Sequence, residues 1–300
     1  QHFFQERSLK YQFIKNHEII YPIEKMCKVL KISQSSYFRW KKCPFSVRFH
    51  KKEELKQRIL TIYFDSKQRY GSPRITAELN NLGFKISRIT VSKYMRELGI
   101  RSKLSKKFKI TTDSKHNYLV VENILDRDFE STKKKKKWVS DITYIRTIEG
   151  FLYLTIVLDL YDRKVIGWSL YDEMSTEKTS LSAWKVALAN RKIEKGLIFH
   201  SDRGVQYANN KFANMLESHH VIRSMSRKGN CWDNAVAESF FKTLKTELIY
   251  GNKLINKQQM ELEIFQYIEI FYNKKRRHSA LNYKTIEEFN QQKISYKNVA

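Results

Sequence analysis

A chain of 300 residues with 57 Lys and Arg against 31 Asp and Glu carries a formal charge of +26, and 41% of it is hydrophobic. Two domains fit in that length, and the apolar share excludes wholesale disorder. The longest apolar run, Phe151 to Leu158, is interrupted by Thr155 and stopped by Asp159, far short of the ~18 residues of a membrane span.

Cys27, Cys43 and Cys231 are scattered and odd in number, which argues against a disulfide framework and for a reducing, cytoplasmic compartment. No C-x-x-C pair points to zinc. No leader pattern opens the chain, so no membrane partner is expected. Gln1 in place of Met fits the downstream part of a longer product. Residues 1–140 hold 33 Lys and Arg against 13 acids, whereas residues 141–300 hold 24 against 18. A basic front on a near-balanced back points to a polyanion, with nucleic acid ahead of mere lysine-rich bias.

In chain order, Ile23, Met26, Cys27 and Leu30 recur at helical spacing, and Ser33 is placed to cap a second helix, Gln34–Lys42. That outline is a helix-turn-helix or an ordinary helical hairpin. Its second helix carries Ser35, Ser36, Tyr37, Arg39 and Lys41, which suit phosphates and base edges. Lys51–Arg69 is amphipathic, Pro73 opens a helix closed by Gly83, and Ser87 can cap Arg88–Leu98, which presents Arg88, Ser92, Lys93 and Arg96. Two such units in series strengthen a duplex-DNA reading. Basic residues 101–110 and the run Lys133–Lys137 read as solvated linker with spare phosphate contacts. The expected division is 1–50 and 51–110 as two helix-turn-helix regions, 111–137 as basic linker, 138–290 as core and 291–300 as tail.

From Trp138 the texture becomes strand-like. Segments 138–146, 151–160 and 164–170 form an antiparallel meander, and helix 176–190, strand 197–200, helix 209–218 and strand 221–224 follow. Two long amphipathic helices, 233–249 and 257–271, come next. A meander followed by βα units predicts a mixed sheet with helices on its faces, an α/β core behind an all-α front.

Three acids sit where packing prefers something else. Asp141 lies inside the first strand, Asp202 directly follows Leu197–His200, and Glu238 shares a helix stripe with Asn234, Lys242 and Lys245. Singly they could cap a turn, open a turn or face solvent. Together they can hold two Mg²⁺ ions, which take oxygen ligands.

The segments Trp138–Tyr144, His200–Tyr207, Lys228–Phe240 and Tyr272–Tyr283 resemble the DDE transposases and retroviral integrases of the ribonuclease-H-like superfamily. They are most similar to insertion-sequence transposases of the IS-three family, downstream-frame product. Thirty-five residues separate Asp202 from Glu238, the spacing behind the D,D-35-E label, and Lys245 falls seven positions after Glu238 where that family has a basic residue. The Tyr70–Arg74 turn and its helices match the family's helix-turn-helix region. No His-His-Cys-Cys module is present, and Asn282 stands where glycine is common.

The resemblance implies a ribonuclease-H-like mixed-sheet catalytic core. It implies cleavage at transposon ends and joining of the freed 3′-hydroxyl to target DNA, using two Mg²⁺ for which Mn²⁺ can substitute. Asp141 would bridge the ions, and Asp202 and Glu238 would each bind one. Lys242 and Lys245 would hold terminal phosphates, Asn234 a base or sugar. His200, Arg203 and Gln206 would line the pocket, with Arg203 among the DNA contacts, or serve as structural hydrogen bonders. Arg276, Arg277 and His278 would grip DNA or complement a helix end. The implied partners are terminal inverted repeats, target DNA and further copies of the chain on nucleoid DNA. A DNA-binding regulator with a silent core and an RNA–DNA hybrid nuclease stay as alternatives.

Overall fold

The computed structural model describes residues 7–42, 47–103, 118–131 and 136–297, with the side chains of Val47 and residues 293–297 set aside. Residues 1–6, 43–46 with Cys43, 104–117, 132–135 with Lys133–Lys135, and 298–300 lie outside the described part; within the expected 111–137 linker, Leu125 is buried in the core of the second unit. The chain forms two compact units, Gln1–Ser102 and Lys103–Ala300.

The first unit is all helix: α1 (Arg7–His17), α2 (Ile23–Val29), α3 (Gln34–Lys42), α4 (Val47–Asp65), α5 (Ser72–Asn81) and α6 (Arg88–Glu97). The caps behave as their chemistry dictates. Ser33 Oγ accepts from the Ser36 amide at 3.2 Å, and Ser87 Oγ from that of Thr90 at 3.2 Å. Gly83 takes the left-handed turn after α5 with φ +88°. Helix α1 was not anticipated; it adds Tyr11 and Ile14 to a small core with Met26, Cys27 and Tyr37. The Tyr37 hydroxyl donates to Glu18 at 2.6 Å, and Lys41 pairs with the same carboxylate at 2.8 Å. Helices α4 to α6 bury Ile59, Tyr63, Ile75, Leu79, Val91 and Met95. Helix α4 begins four residues before the expected Lys51, at Val47.

The second unit is built on a five-stranded mixed sheet in the order β3-β2-β1-β4-β5. Strands β1 (Lys137–Thr147), β2 (Gly150–Asp159) and β3 (Val165–Tyr171) form the meander, and β4 (Ile198–Ser201) and β5 (Ile222–Met225) add in parallel. Alternation along β1 sorts its side chains. Val139 and Ile145 join the core under α10 (Ala235–Leu244) and α11 (Lys257–Phe265), while Trp138 joins the core under α7 (Ser182–Asn190) and α9 (Asn210–Ser218). A short helix, α8 (Val205–Ala208), precedes α9, and α12 (Ile286–Lys297) closes the chain. Gly167 of β3 lets α7 approach, since a Cβ there would lie 2.3 Å from the Ala183 carbonyl oxygen. Asn282 adopts φ +53°, a left-handed conformation that asparagine tolerates better than most residues. The Asp159–Asp162–Arg191 cluster, with Arg191 Nη2 2.7 Å from Asp162 Oδ2, ties the β2–β3 turn to the end of α7.

Candidate active site

The parallel β1–β4 pair sets the site. Lys137, Trp138 and Val139 oppose Ile198, Phe199 and His200, and pairing stops there. Two residues further along each strand direction stand Asp141 and Asp202, so the register brings both acids to one level, beyond the carboxyl end of β4. Such ends are where α/β sheets place ligand groups. Asp202 closes its own turn, Oδ1 accepting from the Gly204 amide at 2.9 Å. A Cβ on Gly204 would lie 3.0 Å from that oxygen, which makes glycine the residue that fits.

Glu238 arrives on the first turn of α10. Asn234, just before that helix, is buried, and its Nδ2 donates to the Ser140 carbonyl oxygen at 3.0 Å. The bond fixes the start of α10 to the residue preceding Asp141. Asn234, expected at a base or sugar, is buried with its Nδ2 committed to the β1 backbone.

Charge reports the convergence. Burial first, then the Asp202 charge, with Glu238 adding, holds the Asp141 carboxyl well above its ordinary range; the Ile142 amide and Lys245 act in the opposite direction. Burial and Asp202 likewise raise Glu238. Together the three acids would offer only oxygen donors, the kind a hard divalent cation takes. Among the described residues no group of three His, Cys, Asp or Glu side chains is placed to hold a metal ion.

Beneath the acids runs a polar layer that the sequence did not single out. Tyr207 is buried with its hydroxyl 2.7 Å from Ser140 Oγ, which also reaches the Ile156 carbonyl at 2.7 Å. Burial first, then the charges of Asp141 and Asp202, push the Tyr207 phenol far up, so it stays neutral. His200 proves a structural hydrogen bonder. Its Nδ1 meets Ser224 Oγ at 2.9 Å and its Nε2 meets Ser226 Oγ at 3.1 Å, and burial draws it down to about 4. Gln206 Nε2 donates to the Met174 carbonyl at 3.1 Å, and Arg203 Nε donates to the Ser226 carbonyl.

Lys245 lies partly buried with Nζ 5.0 Å from the centre of the Tyr144 ring. Burial lowers its pKa while the Asp141 charge resists. Lys242 is exposed one turn earlier, and Arg39, Arg88 and Lys93 are exposed on the first unit. Arg276 and Arg277 depart from expectation. Each is 5% exposed, with its guanidinium turned inward to Glu247 and Glu288 respectively. His278 is buried too, its Nε2 3.1 Å from the Tyr272 carbonyl oxygen. All three are buried against carboxylates or a carbonyl of the same unit rather than presented to solvent.

Residues 131–231 and 219–285 match the family description "Integrase core domain", and residues 50–108 match "HTH-like domain". The Escherichia coli (strain K12) transposase InsF for insertion sequence IS3A is 39% identical over 291 residues, 96% of this chain and 100% of that protein. An uncharacterized 31 kDa protein of insertion element IS600 from Shigella sonnei is 38% identical over 256 residues, 85% of this chain and 94% of its own. Among solved structures, the HTLV-2 integrase catalytic core domain in complex with magnesium covers 53% of this chain and 99% of its own at 15% identity and a TM-score of 0.40.

Proposed function

The chain belongs to the IS3-family transposases, with an integrase-type DDE core behind an HTH-like region, and from that premise we propose that it cuts the 3′ ends of its element and joins them to target DNA at Asp141, Asp202 and Glu238. The observation that carries this reading is the β1–β4 register, which levels Asp141 with Asp202 beside a helix bearing Glu238. Two Mg²⁺, or Mn²⁺ in their place, would lower the pKa of the attacking oxygen and stabilise the leaving 3′-oxygen. Asp141, Asp202 and Glu238 would hold the ions.

The chain's own contribution is placement. Asn234 anchors α10 to β1, Tyr207 and Ser140 support the strand under the acids, and Lys245 offers a cation beside them. Lys242 extends that cation row outward to phosphate. Arg39, Arg88 and Lys93 would contact duplex DNA from the helical unit. Pairing two element ends calls for a homo-oligomer on DNA. A strand-transfer assay with end-sequence duplexes and a target plasmid tests the proposal: joined products are expected. Cleavage of RNA–DNA hybrids alone, or end binding without chemistry, would favour the nuclease and regulator alternatives.

End binding by the unit Gln1–Ser102 should fall on a log–log plot against salt with a slope of about −0.9 for each phosphate neutralised. A chain starting near Lys103, which keeps Leu125 and Arg127 with the core they pack into, should stay folded and lose discrimination of ends, which competition binding would measure. Lys245→Ala should raise the end-DNA concentration needed for strand transfer by about tenfold, the scale of a lost charge-assisted hydrogen bond. The Mg²⁺ midpoint at saturating DNA should not move, since lysine is no oxygen ligand. A mutant matching wild type in both titrations would return Lys245 to the ordinary surface.

A further inference from the structure

We propose that Trp232 is a stacking platform for a nucleobase that has left the duplex near the catalytic acids; the inference rests on the transposase reading above. Trp232 is 69% exposed, while Trp138 and Trp184 are fully buried and Trp40 and Trp168 are partly covered. Leaving an indole in water forgoes the burial that usually places this side chain, so such exposure on a fixed support suggests a ligand with an apolar face.

The support is fixed from both sides. Trp232 sits in the tight turn Cys231–Asn234 that runs straight into α10 and Glu238. The next residue, Asp233, is fully buried. Its Oδ1 takes Arg127 Nε at 2.8 Å and Arg227 Nη2 at 2.8 Å, and its Oδ2 takes the Arg227 amide at 2.9 Å. These arginines hold the Asp233 carboxyl well below the usual range, so the brace persists at any working pH. Asn234 is then bonded to Ser140, beside Asp141. Before Trp232, Gly229 turns the chain at φ +70°. A ring held this way loses little freedom on binding, which is what pre-organisation means for affinity.

The ligand class follows from the surroundings. Exposed Lys228 lies four residues upstream and exposed Arg227 five, the latter with its guanidinium paired to Asp233 and Asp126. A flat aromatic face with cations a few residues away along the chain suits a base attached to its phosphate, and tolerates any base because each has a π-face. A fully paired interior base has both faces covered by its neighbours, so the ring can serve only a base at an opened end. An apolar side chain of a protein partner would not call for the cations.

The test uses the full chain without Mg²⁺, so that nothing is cut. The probes are a blunt duplex and the same duplex with an unpaired 3′ trinucleotide ending in 2-aminopurine. Wild type should prefer the open-ended probe by about tenfold, within the range that one base–aromatic stack supplies, and should quench the 2-aminopurine. Trp232→Ala should bring the preference to near one and lose the quench, with blunt-duplex affinity and melting temperature unchanged. Trp232→Phe should retain most of both signals. A Trp232→Ala protein that keeps preference and quench overturns the proposal and leaves the transposase reading standing. Equal binding of the two probes by wild type overturns it in the same way. Failure of wild type to bind either duplex overturns the DNA reading together with this one.

Discussion

Asp141→Asn, Asp202→Asn and Glu238→Gln should each reduce end cleavage and joining by at least about a thousandfold, since metal-type stabilisation is worth several kcal/mol and each ~1.4 kcal/mol is tenfold. The substitutions are nearly isosteric and remove the charge that attracts the cation. End binding through the helical unit should persist, so a gel shift would separate lost chemistry from lost recognition. Any one variant turning over at the wild-type rate with Mg²⁺ present would remove that residue from the site. The same variants carry a stability signature of opposite sign. Asp141 and Glu238 have folded pKa values raised above their unfolded ones. The folded state therefore binds more protons, and the metal-free protein loses stability as pH rises from the ordinary carboxylate range through the raised values. Asp141→Asn should flatten that decline and melt higher than wild type at neutral pH without metal. Adding Mg²⁺ should raise the wild-type melting temperature and move the variant less.

The strands were legible because each pairs an apolar run with a turn signal, as at Glu149-Gly150, and β1 to β3 lie within a residue or two of expectation. The acids were legible because a carboxylate inside β1 has no packing reason to be there. Their levelling by the β1–β4 register was not, since parallel pairing joins residues some sixty positions apart. The errors share a cause. Sequence shows which residues are charged and polar, and says little about which of them meet a partner across the fold. Asn234 finds Ser140 from 94 positions away, and His200 finds two serines on and after β5. Tyr207 carries no charge to mark it in the sequence, and its place under Asp141 depends on α8 folding back beneath β1. Helix α1 escaped notice because only Tyr11 and Ile14 of its eleven residues are buried, too few for a readable stripe.

Arg276 gives the second large effect, in stability rather than in DNA binding. Its Nη2 lies 2.7 Å from Glu247 Oε1 and its Nε 3.1 Å from Oε2, with both side chains less than a tenth exposed. The Tyr267 hydroxyl donates to the same carboxylate at 2.8 Å, and the Tyr272 ring lies 5.8 Å from the guanidinium carbon. The pair joins the turn after α10 to the end of the helical stretch that follows α11, and so braces the helix carrying Glu238. Arg276→Ala or Glu247→Ala leaves the other charge buried and uncompensated, which costs about 3–5 kcal/mol. Against a total of roughly 5–15 kcal/mol for a folded domain, either change should bring the core near its unfolding threshold at physiological temperature. Arg276→Met combined with Glu247→Leu should recover most of the loss, because a matched apolar pair of similar volume is about neutral in place of a buried ion pair. Urea melts of the four proteins would rank their stabilities. A phosphate-gripping Arg276 would behave otherwise: its alanine variant would keep the wild-type melting curve and lower the salt slope of end binding by about one.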